Sequence, residues 1–289
     1  MKLLVHIPFY DRVIKGSGGD KTSFFDSQTF MNNTKIAKTS SYRRNNVMAN
    51  MKKMLHEIDN YYMFQDIDVI IDTNNKTNIV WDLSQLNRVK LYIKVHHIEK
   101  SFLLTWVHRH SMQARQNKYD WFMYVEDDIF VPVKSVEKQL HWASFLYNTT
   151  HKLLNFVRVV HDKSGRLFYG DLRRQTSPNE IFEINGSLFG AMTYMYSATW
   201  MYPKHIMYDF IHSDYWKKPL LKYDLRASAS FGFTNPTNCK PILNAFPPCS
   251  VVIYPCTELI VYHTMSSGIW YTSSITTKLP FNNGKGWVK

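Results

Sequence analysis

Cysteine is scarce in this sequence, and the few cysteines form no metal-binding pattern. The three, Cys239, Cys249 and Cys256, lie late in the chain without CxxC or Cys/His spacing. This predicts reduced, mostly structural thiols. No uninterrupted apolar segment of about 18 residues is present, and the first apolar run is soon interrupted by Pro8. We therefore expect a soluble, cytoplasmic protein with no secretory signal and no membrane span.

Acidic residues are also in the minority. The sequence has 23 Asp and Glu against 35 Lys and Arg, which gives a formal net charge of +12. Such an excess favours anionic partners, including nucleotides, phosphorylated substrates, nucleic acid and anionic membrane surfaces. Because no block of five basic residues and no nucleic-acid-binding motif is present, the charge is dispersed and no nucleic-acid partner is expected.

One acidic cluster stands out against this background. Glu126, Asp127 and Asp128 directly follow the apolar run Trp121–Val125, whose aromatic and β-branched residues predict a buried strand. Three adjacent carboxylates repel one another, and hard cations such as Mg²⁺ or Mn²⁺ neutralise carboxylate oxygens. Acidic triplets are also common on solvated loops and at helix starts. A helical pattern over 135–146 makes this a strand, an acidic turn and a helix, which favours a ligand site.

Strands and helices alternate along the first half of the chain. Apolar runs at Leu3–Ile7, Asp68–Ile71 and Val89–Val95 predict three further strands. Helical patterns cover residues 41–62 and 102–116. This order predicts an α/β fold with a mainly parallel central sheet flanked by helices.

The pattern changes after residue 156. Residues 157–160 and 167–169 predict a hairpin, and mixed β and helical segments follow it. We see no internal repeat and no convincing linker, and 289 residues allow one large domain. We therefore expect a single domain over 1–289, with a nucleotide-binding half over 1–150 and an acceptor half over 151–289.

Three strand ends together carry a family resemblance. The run Leu4–Tyr10, the strand that ends at Asp72 and the strand that enters the acidic cluster resemble the GT-A fold glycosyltransferases with their DXD-type motif. The segment Leu104–Arg109 is similar to uncharacterised eukaryotic and large-virus proteins of this kind. The resemblance, over residues 1–198, implies a GT-A (Rossmann-like) fold. It also implies a hexosyl- or pentosyltransferase that moves a sugar from a nucleotide-sugar, such as a UDP-sugar, to a glycan hydroxyl.

The resemblance further implies a Mn²⁺ or Mg²⁺ cofactor, which would neutralise the pyrophosphate leaving group. Asp128 is the implied metal ligand, with Glu126 or Asp127 on the metal or the ribose. Glu126 occupies the first Asp position of the motif, and its longer side chain makes a ribose contact an alternative to the metal. His263, at the end of an apolar run, is implied as a further metal ligand, although strand-end histidines are often structural.

The resemblance also implies that the ends of the first two strands recognise the base and the ribose. They offer His6, Pro8, Tyr10, Asp72 and Asn74. Asp72 is suited to accept a hydrogen bond from a uracil or guanine N–H. An Asx turn, in which Asp72 only organises the loop, is an equal alternative.

Two further donor contacts are expected from other segments. Arg109 is the candidate phosphate ligand, because a guanidinium pairs bidentately with phosphate oxygens. Gly186 belongs to the segment Asn185–Ala191, which resembles the glycine-bearing segment beneath the donor sugar in related folds. A glycine there lets the backbone approach a sugar closely.

The acceptor half must supply a carboxylate base if the reaction inverts the anomeric centre. Asp224 is our candidate, since it lies where inverting GT-A enzymes commonly place that base. Asp224 is equally suited to cap the helix predicted over 225–230 or to pair with Arg226. The rival acids are Asp209, Asp214, Glu180 and Glu183.

Two other function classes remain open on the sequence alone. A metal-dependent phosphoesterase or nuclease would use the acidic cluster to bind metal and the basic excess to bind a polyanion. A non-catalytic carbohydrate-binding protein would keep only the scaffold. The intact acids Glu126 and Asp128 argue against the second alternative.

Overall fold

The structure, a computed structural model, describes ten stretches of the chain. They are residues 1–9, 48–74, 86–98, 101–161, 167–169, 180–192, 196–218, 225–234, 250–254 and 259–264. The strands are β1 Lys2–Phe9, β2 Asp66–Thr73, β3 Val89–Val95, β4 Trp121–Val125, β5 Ile129–Phe130, β6 Leu153–Leu154, β7 Val157–His161, β8 Leu167–Tyr169, β9 Glu180–Ile184, β10 Ser187–Met192, β11 Thr199–Pro203, β12 Ser250–Tyr254 and β13 Ile260–His263.

Helices connect and cover these strands. In chain order they are α1 48–59, α2 His108–Ala114, α3 Val133–Thr150, α4 Lys204–His212, α5 Asp214–Lys217 and α6 Leu225–Phe231, with a 3-10 turn over Ser101–Trp106. The helix predicted over 102–116 is therefore divided between the 3-10 turn and α2. The pattern predicted over 41–62 is helical over 48–59 within the described residues.

The central sheet has the strand order β11-β4-β1-β2-β3. β4, β1, β2 and β3 run parallel, whereas β11 pairs with β4 in the antiparallel direction. The prediction of an α/β fold with a mainly parallel central sheet is confirmed. Since β11 comes from the second half of the chain, the two predicted halves share this sheet.

Alternation along β1 explains why both faces of the sheet are covered. Leu3, Val5 and Ile7 pack into one apolar cluster, which includes residues of α1 and α3. Leu4 packs into a second cluster with Phe210 and other residues of α4. Successive side chains of a strand point to opposite faces, so the consecutive apolar residues Leu3, Leu4 and Val5 predict burial on both sides.

Two smaller sheets complete the described fold. One has the order β6-β12-β10-β9, and the other has the order β5-β13-β7-β8. The predicted hairpin of β7 and β8 is confirmed, because these strands pair antiparallel. β13 pairs with β5, the short strand that follows the acidic cluster, and this pairing brings the late part of the chain to the end of β4.

Candidate functional site

The acidic cluster forms a tight turn at the carboxyl end of β4. The Ile129 N–H donates to the Glu126 carbonyl at 3.1 Å, and the Glu126 N–H donates to the Ala198 carbonyl at 3.0 Å. Pro132 then precedes α3, and the first free N–H of that helix, on Val133, donates to the Glu57 carboxylate at 2.8 Å. The turn is thus fixed at both ends by the elements around it.

Asp128 and His263 meet beside this turn. His263 is opposite Ile129 in the antiparallel pairing of β13 with β5, and its Nε2 lies 3.2 Å from Asp128 Oδ2. The Thr264 N–H and hydroxyl both donate to the Asp128 carbonyl, at 2.8 and 3.0 Å. The structure therefore brings together two of the predicted metal ligands, which are 135 residues apart in sequence. Their metal-binding role stays a prediction.

Glu126 is buried and hydrogen-bonded. Its Oε1 accepts hydrogen bonds from the Tyr196 hydroxyl at 3.1 Å and from the Ser230 hydroxyl at 2.5 Å. The guanidinium of Arg158 lies over the Tyr196 ring, 4.9 Å from its centroid. These contacts hold the Glu126 side chain in place, and its predicted contact with metal or ribose remains untested.

Asp128 and His263 together suit a metal ion that keeps further ligands, such as water or a phosphate. Within the described part of the chain, no group of three or more His, Cys, Asp or Glu is close enough to hold a metal ion. Asp128 and His263 supply one carboxylate and one imidazole. Mg²⁺ is commonly bound by one or two carboxylates, with water and substrate phosphate as the other ligands. Mn²⁺ also accepts imidazole nitrogen.

A second carboxylate–histidine cluster lies at the ends of β1, β2 and β3. Asp72 Oδ2 lies 2.6 Å from His6 Nδ1, and Asp72 Oδ1 lies 2.7 Å from His96 Nε2. Burial alone would raise the pKa of Asp72, but hydrogen bonds and charge from the two histidines lower it to about 2. Asp72 is therefore ionised, and the imidazole nitrogens are the donors.

This pairing changes what Asp72 can offer to a ligand. Its side chain is 1% exposed, and each oxygen already accepts a hydrogen bond from an imidazole. His96, which is 15% exposed, is the more accessible member of the cluster. A nucleobase contact through Asp72 stays a prediction. In the described geometry, His96 is the more exposed candidate for such a contact.

His108 lies behind this cluster. Its ring packs against Tyr124 at 4.7 Å and His6 at 6.2 Å between ring centroids. Burial, reinforced by the charge of Arg109, lowers the pKa of His108 well below 6.5. His108 is therefore a neutral core side chain at neutral pH.

Arg109, which follows His108 on α2, is also buried. Its Nη1 donates to the backbone carbonyls of Tyr215 at 2.5 Å and Trp216 at 2.7 Å. The guanidinium also lies 3.6 Å from the centre of the Trp106 ring. Burial lowers its pKa to about 9. These contacts tie α2 to α5, and they favour a structural role over the predicted phosphate contact.

The remaining candidates fall in several places. Pro8 is buried opposite Asp72 in the pairing of β1 with β2, and Asn74 follows the end of β2. Asp127 is half-buried in the acidic turn. Tyr10 and Asp224 lie outside the described residues.

Gly186 is at the turn between β9 and β10. Asn185 and Gly186 both have positive φ angles, 50° and 75°, as a two-residue hairpin turn requires. Gly186 is exposed there, beside α3, in a sheet other than the central one. Its predicted contact with the donor sugar remains untested.

Sequence reasoning missed four side chains of these clusters: His96, Arg158, Tyr196 and Ser230. His96 had a usable signal, because it directly follows the predicted strand β3, just as His263 ends a predicted strand. The others contact Glu126, or its partner Tyr196, over long sequence separations that no local pattern records.

Comparison with known proteins gives little further information. No family model matches the chain, and no curated protein matches it. The crystal structure of S. aureus TarS is 15% identical, with a TM-score of 0.41, and the match covers 92% of this chain and 37% of that one. The crystal structure of S. aureus TarS 1-349 is 14% identical, with a TM-score of 0.38, covering 91% of this chain and 60% of that one.

This chain thus spans less than two thirds of the length of either structure. Separately, no helix among the described residues is both long and apolar enough to cross a membrane.

Proposed function

We propose that this chain is a metal-dependent glycosyltransferase that moves a sugar from a nucleotide-sugar, with UDP as the first candidate nucleotide, to a glycan hydroxyl. The observation that carries the proposal is the meeting of Asp128 and His263 at the carboxyl end of β4, with a 3.2 Å separation. In open α/β sheets, ligands bind outside the carboxyl ends of the strands. The His6–Asp72–His96 cluster lies at the same ends of the neighbouring strands.

The proposed division of roles follows the sheet. Asp128 and His263 would hold Mn²⁺ or Mg²⁺, which supplies neutralisation of the developing charge on the leaving diphosphate. Glu126, held by Tyr196 and Ser230, would bind the donor ribose. The strand ends that carry His6 and Asp72 would form the wall against the base.

The acceptor half is proposed to supply the catalytic base. An inverting reaction needs a carboxylate to take the proton of the acceptor hydroxyl, and Asp224 keeps that proposed role.

A phosphoesterase that uses two metals is less well supported by the described residues. Such a site gathers several carboxylates around ions that are about 4 Å apart. Within the described part of the chain, no group of three or more His, Cys, Asp or Glu is arranged to hold a metal ion. The Asp128–His263 pair suits one ion that is shared with a diphosphate better than it suits two ions.

Isothermal titration calorimetry with UDP- and GDP-sugars, with and without Mn²⁺, tests the proposal. We expect Mn²⁺-dependent binding that weakens at least about tenfold in Asp128→Asn, which corresponds to about 1.4 kcal/mol. The matched control is Asp120→Asn, because Asp120 precedes β4 at its opposite end and accepts a hydrogen bond from the Lys2 N–H. Absence of nucleotide binding under every condition would contradict the proposal.

A further inference from the structure

Three polar side chains form a diagonal row across one face of the central sheet. His6 on β1 pairs opposite Ile70, which lies two residues before Asp72 on β2. Asp72 in turn pairs opposite Lys94, which lies two residues before His96 at the end of β3. Side chains two residues apart on a strand share a face, so the three lie on the same side of the sheet. The row leads from the fully buried His6 to the partly exposed His96.

His96, the last member of this row, is fixed by its backbone and by its ring. Its N–H donates to the Thr73 carbonyl at 2.7 Å, which continues the pairing of β3 with β2. Its ring Nε2 donates to Asp72 Oδ1, also at 2.7 Å. Asp72 is itself held, because its other carboxylate oxygen accepts a hydrogen bond from His6 Nδ1 at 2.6 Å. The buried part of the row therefore sets the orientation of the His96 ring.

The bond to Asp72 also decides which nitrogen of a neutral His96 ring carries the proton. Although burial alone would raise its pKa, hydrogen bonds and charge from the two histidines lower the pKa of Asp72 to about 2, so this carboxyl is ionised. A carboxylate only accepts hydrogen bonds, so the imidazole proton lies on Nε2 and Nδ1 carries a lone pair. Within the described residues, the ring bonds to Asp72, and 15% of the His96 side chain is exposed. Nδ1 is therefore the acceptor that His96 offers to a ligand.

The position of His96 on the sheet suits one end of a nucleotide. In the strand order, β1 and β2 separate β3 from β4, the strand that enters the acidic turn. Neighbouring strands lie about 4.8 Å apart, so three steps across the sheet amount to about 14 Å. This separation is comparable with the length of an extended nucleoside diphosphate. A donor whose diphosphate lies at the Asp128–His263 pair can therefore reach His96 with its base.

We propose that His96 is a specificity-determining residue of the donor site, where its Nδ1 accepts a hydrogen bond from the ring N–H of the base. Uracil and guanine carry this N–H on their Watson–Crick edge, the edge by which proteins commonly recognise single bases. Cytosine has a lone pair at the corresponding ring nitrogen, which would face the Nδ1 lone pair with no hydrogen between them. Asp72 and His6 are positioning residues, because they act through the His96 ring. This role rests on the proposed transfer from a nucleotide-sugar and selects the base of that donor.

Calorimetry of the full chain with Mn²⁺ and UDP, GDP or CDP tests the inference. We expect the preferred nucleotide, either UDP or GDP, to bind at least about tenfold more tightly than CDP. His96→Phe keeps a ring but removes the acceptor. It should weaken binding of the preferred nucleotide about fivefold and change CDP binding by less than about twofold. The matched control is His97→Phe, at the exposed histidine next in the chain, which should bind all three nucleotides like the unaltered chain.

Nitrogen-15 NMR of the histidine-labelled chain measures the proton position in the unaltered protein. The His96 signals are identified by their absence in His96→Phe, and Mg²⁺ replaces the paramagnetic Mn²⁺. At pH 8 we expect a protonated Nε2 and an unprotonated Nδ1. The Nδ1 signal should move when the preferred nucleotide is added and stay in place when CDP is added. A protonated Nδ1 in the chain without nucleotide would overturn the inference.

The calorimetric outcomes separate the base contact from the transferase function. Equal binding of the three nucleotides, or tighter binding of CDP, would overturn the base contact and leave the transferase proposal standing. So would a preference over CDP that survives in His96→Phe, or an equal loss of binding in His97→Phe. Absence of binding by all three nucleotides would contradict the proposed transferase function, and the base contact with it.

Discussion

Two aspartates at the carboxyl ends of neighbouring strands face histidines in different ways. Asp72 at the end of β2 is 1% exposed, and an imidazole binds each of its oxygens. Asp128, just beyond β4, is 12% exposed, and its Oδ2 lies 3.2 Å from the His263 Nε2. The same pair of residue types thus gives a closed cluster in one place and a more open pair in the other. The burial and double pairing of Asp72 favour a structural role, whereas ligand binding by Asp128 stays a prediction.

The largest expected effect is on catalysis at the open pair. Asp128→Asn keeps the side-chain size but removes the charge that would hold the divalent ion at the leaving diphosphate. We expect sugar transfer, measured as Mn²⁺-dependent UDP release, to fall by a factor on the order of 10² to 10³. The free energy of unfolding in urea should change by only about 1 kcal/mol. If Asp128→Asn keeps full activity, the proposed role of Asp128 is wrong and its contrast with Asp72 no longer holds.

The next effect concerns stability at the closed cluster. Asp72→Asn puts an amide N–H₂ against an imidazole N–H and leaves buried donors without an acceptor. We expect the free energy of unfolding in urea to fall by about 3 kcal/mol. Asp66→Asn, at the opposite end of β2 and paired only with the exposed lysines Lys2 and Lys90 among the contacts described, should change it by less than about 1 kcal/mol. Equal losses in the two variants would show that Asp72 has no special structural role.

The pH dependence of the free energy of unfolding also tests the structural role of Asp72. The pKa of Asp72 is lowered from 3.8 to about 2, so its contribution to stability is fully present above pH 3.8. It is lost as the pH falls through about 2, because the unfolded carboxylate binds its proton first. The loss should amount to about 2 kcal/mol. Urea unfolding between pH 5 and about pH 2 should show a shallower acid dependence in Asp72→Asn than in the unaltered chain.

The smallest effect is expected from His108, behind the closed cluster. Its pKa is well below 6.5 in the folded chain, so the unfolded chain takes up a proton that the folded chain does not. Stability should therefore fall as the pH drops below 6.5, by about 1 kcal/mol between pH 6.5 and 5.5. His108→Leu should remove this part of the slope in urea unfolding at the two pH values. If the free energy of unfolding depends on pH in His108→Leu as it does in the unaltered chain, His108 would be charged in the folded chain.

The regular strands were the most predictable part of the molecule. The predicted bounds of Val89–Val95 and Trp121–Val125 match β3 and β4, because β3 alternates apolar with exposed residues and β4 is a continuous apolar run. The segment 102–116 was less predictable, since its first turn is a 3-10 turn rather than an α-helix. Local spacing does not distinguish the two reliably.

The site was predictable where residues end strands and unpredictable where contacts are long-range. The acidic cluster after a predicted strand pointed to Asp128, the family resemblance added His263, and the structure brings the two side chains together. Arg109 shows the opposite case, because the sequence shows its charge but not that the guanidinium is turned toward the carbonyls of α5. The hydrogen bond of Ser230 to Glu126 spans 104 residues, and no local pattern could have indicated it.

The most direct measurement for the open pair is pulsed electron paramagnetic resonance of Mn²⁺ bound to the chain with UDP. We predict electron-spin coupling to the phosphorus of UDP and to an imidazole nitrogen. The nitrogen coupling should disappear in His263→Gln and persist in His97→Gln, which alters an exposed histidine near the closed cluster. Absence of both couplings, or a nitrogen coupling that survives in His263→Gln, would contradict a metal site at Asp128 and His263.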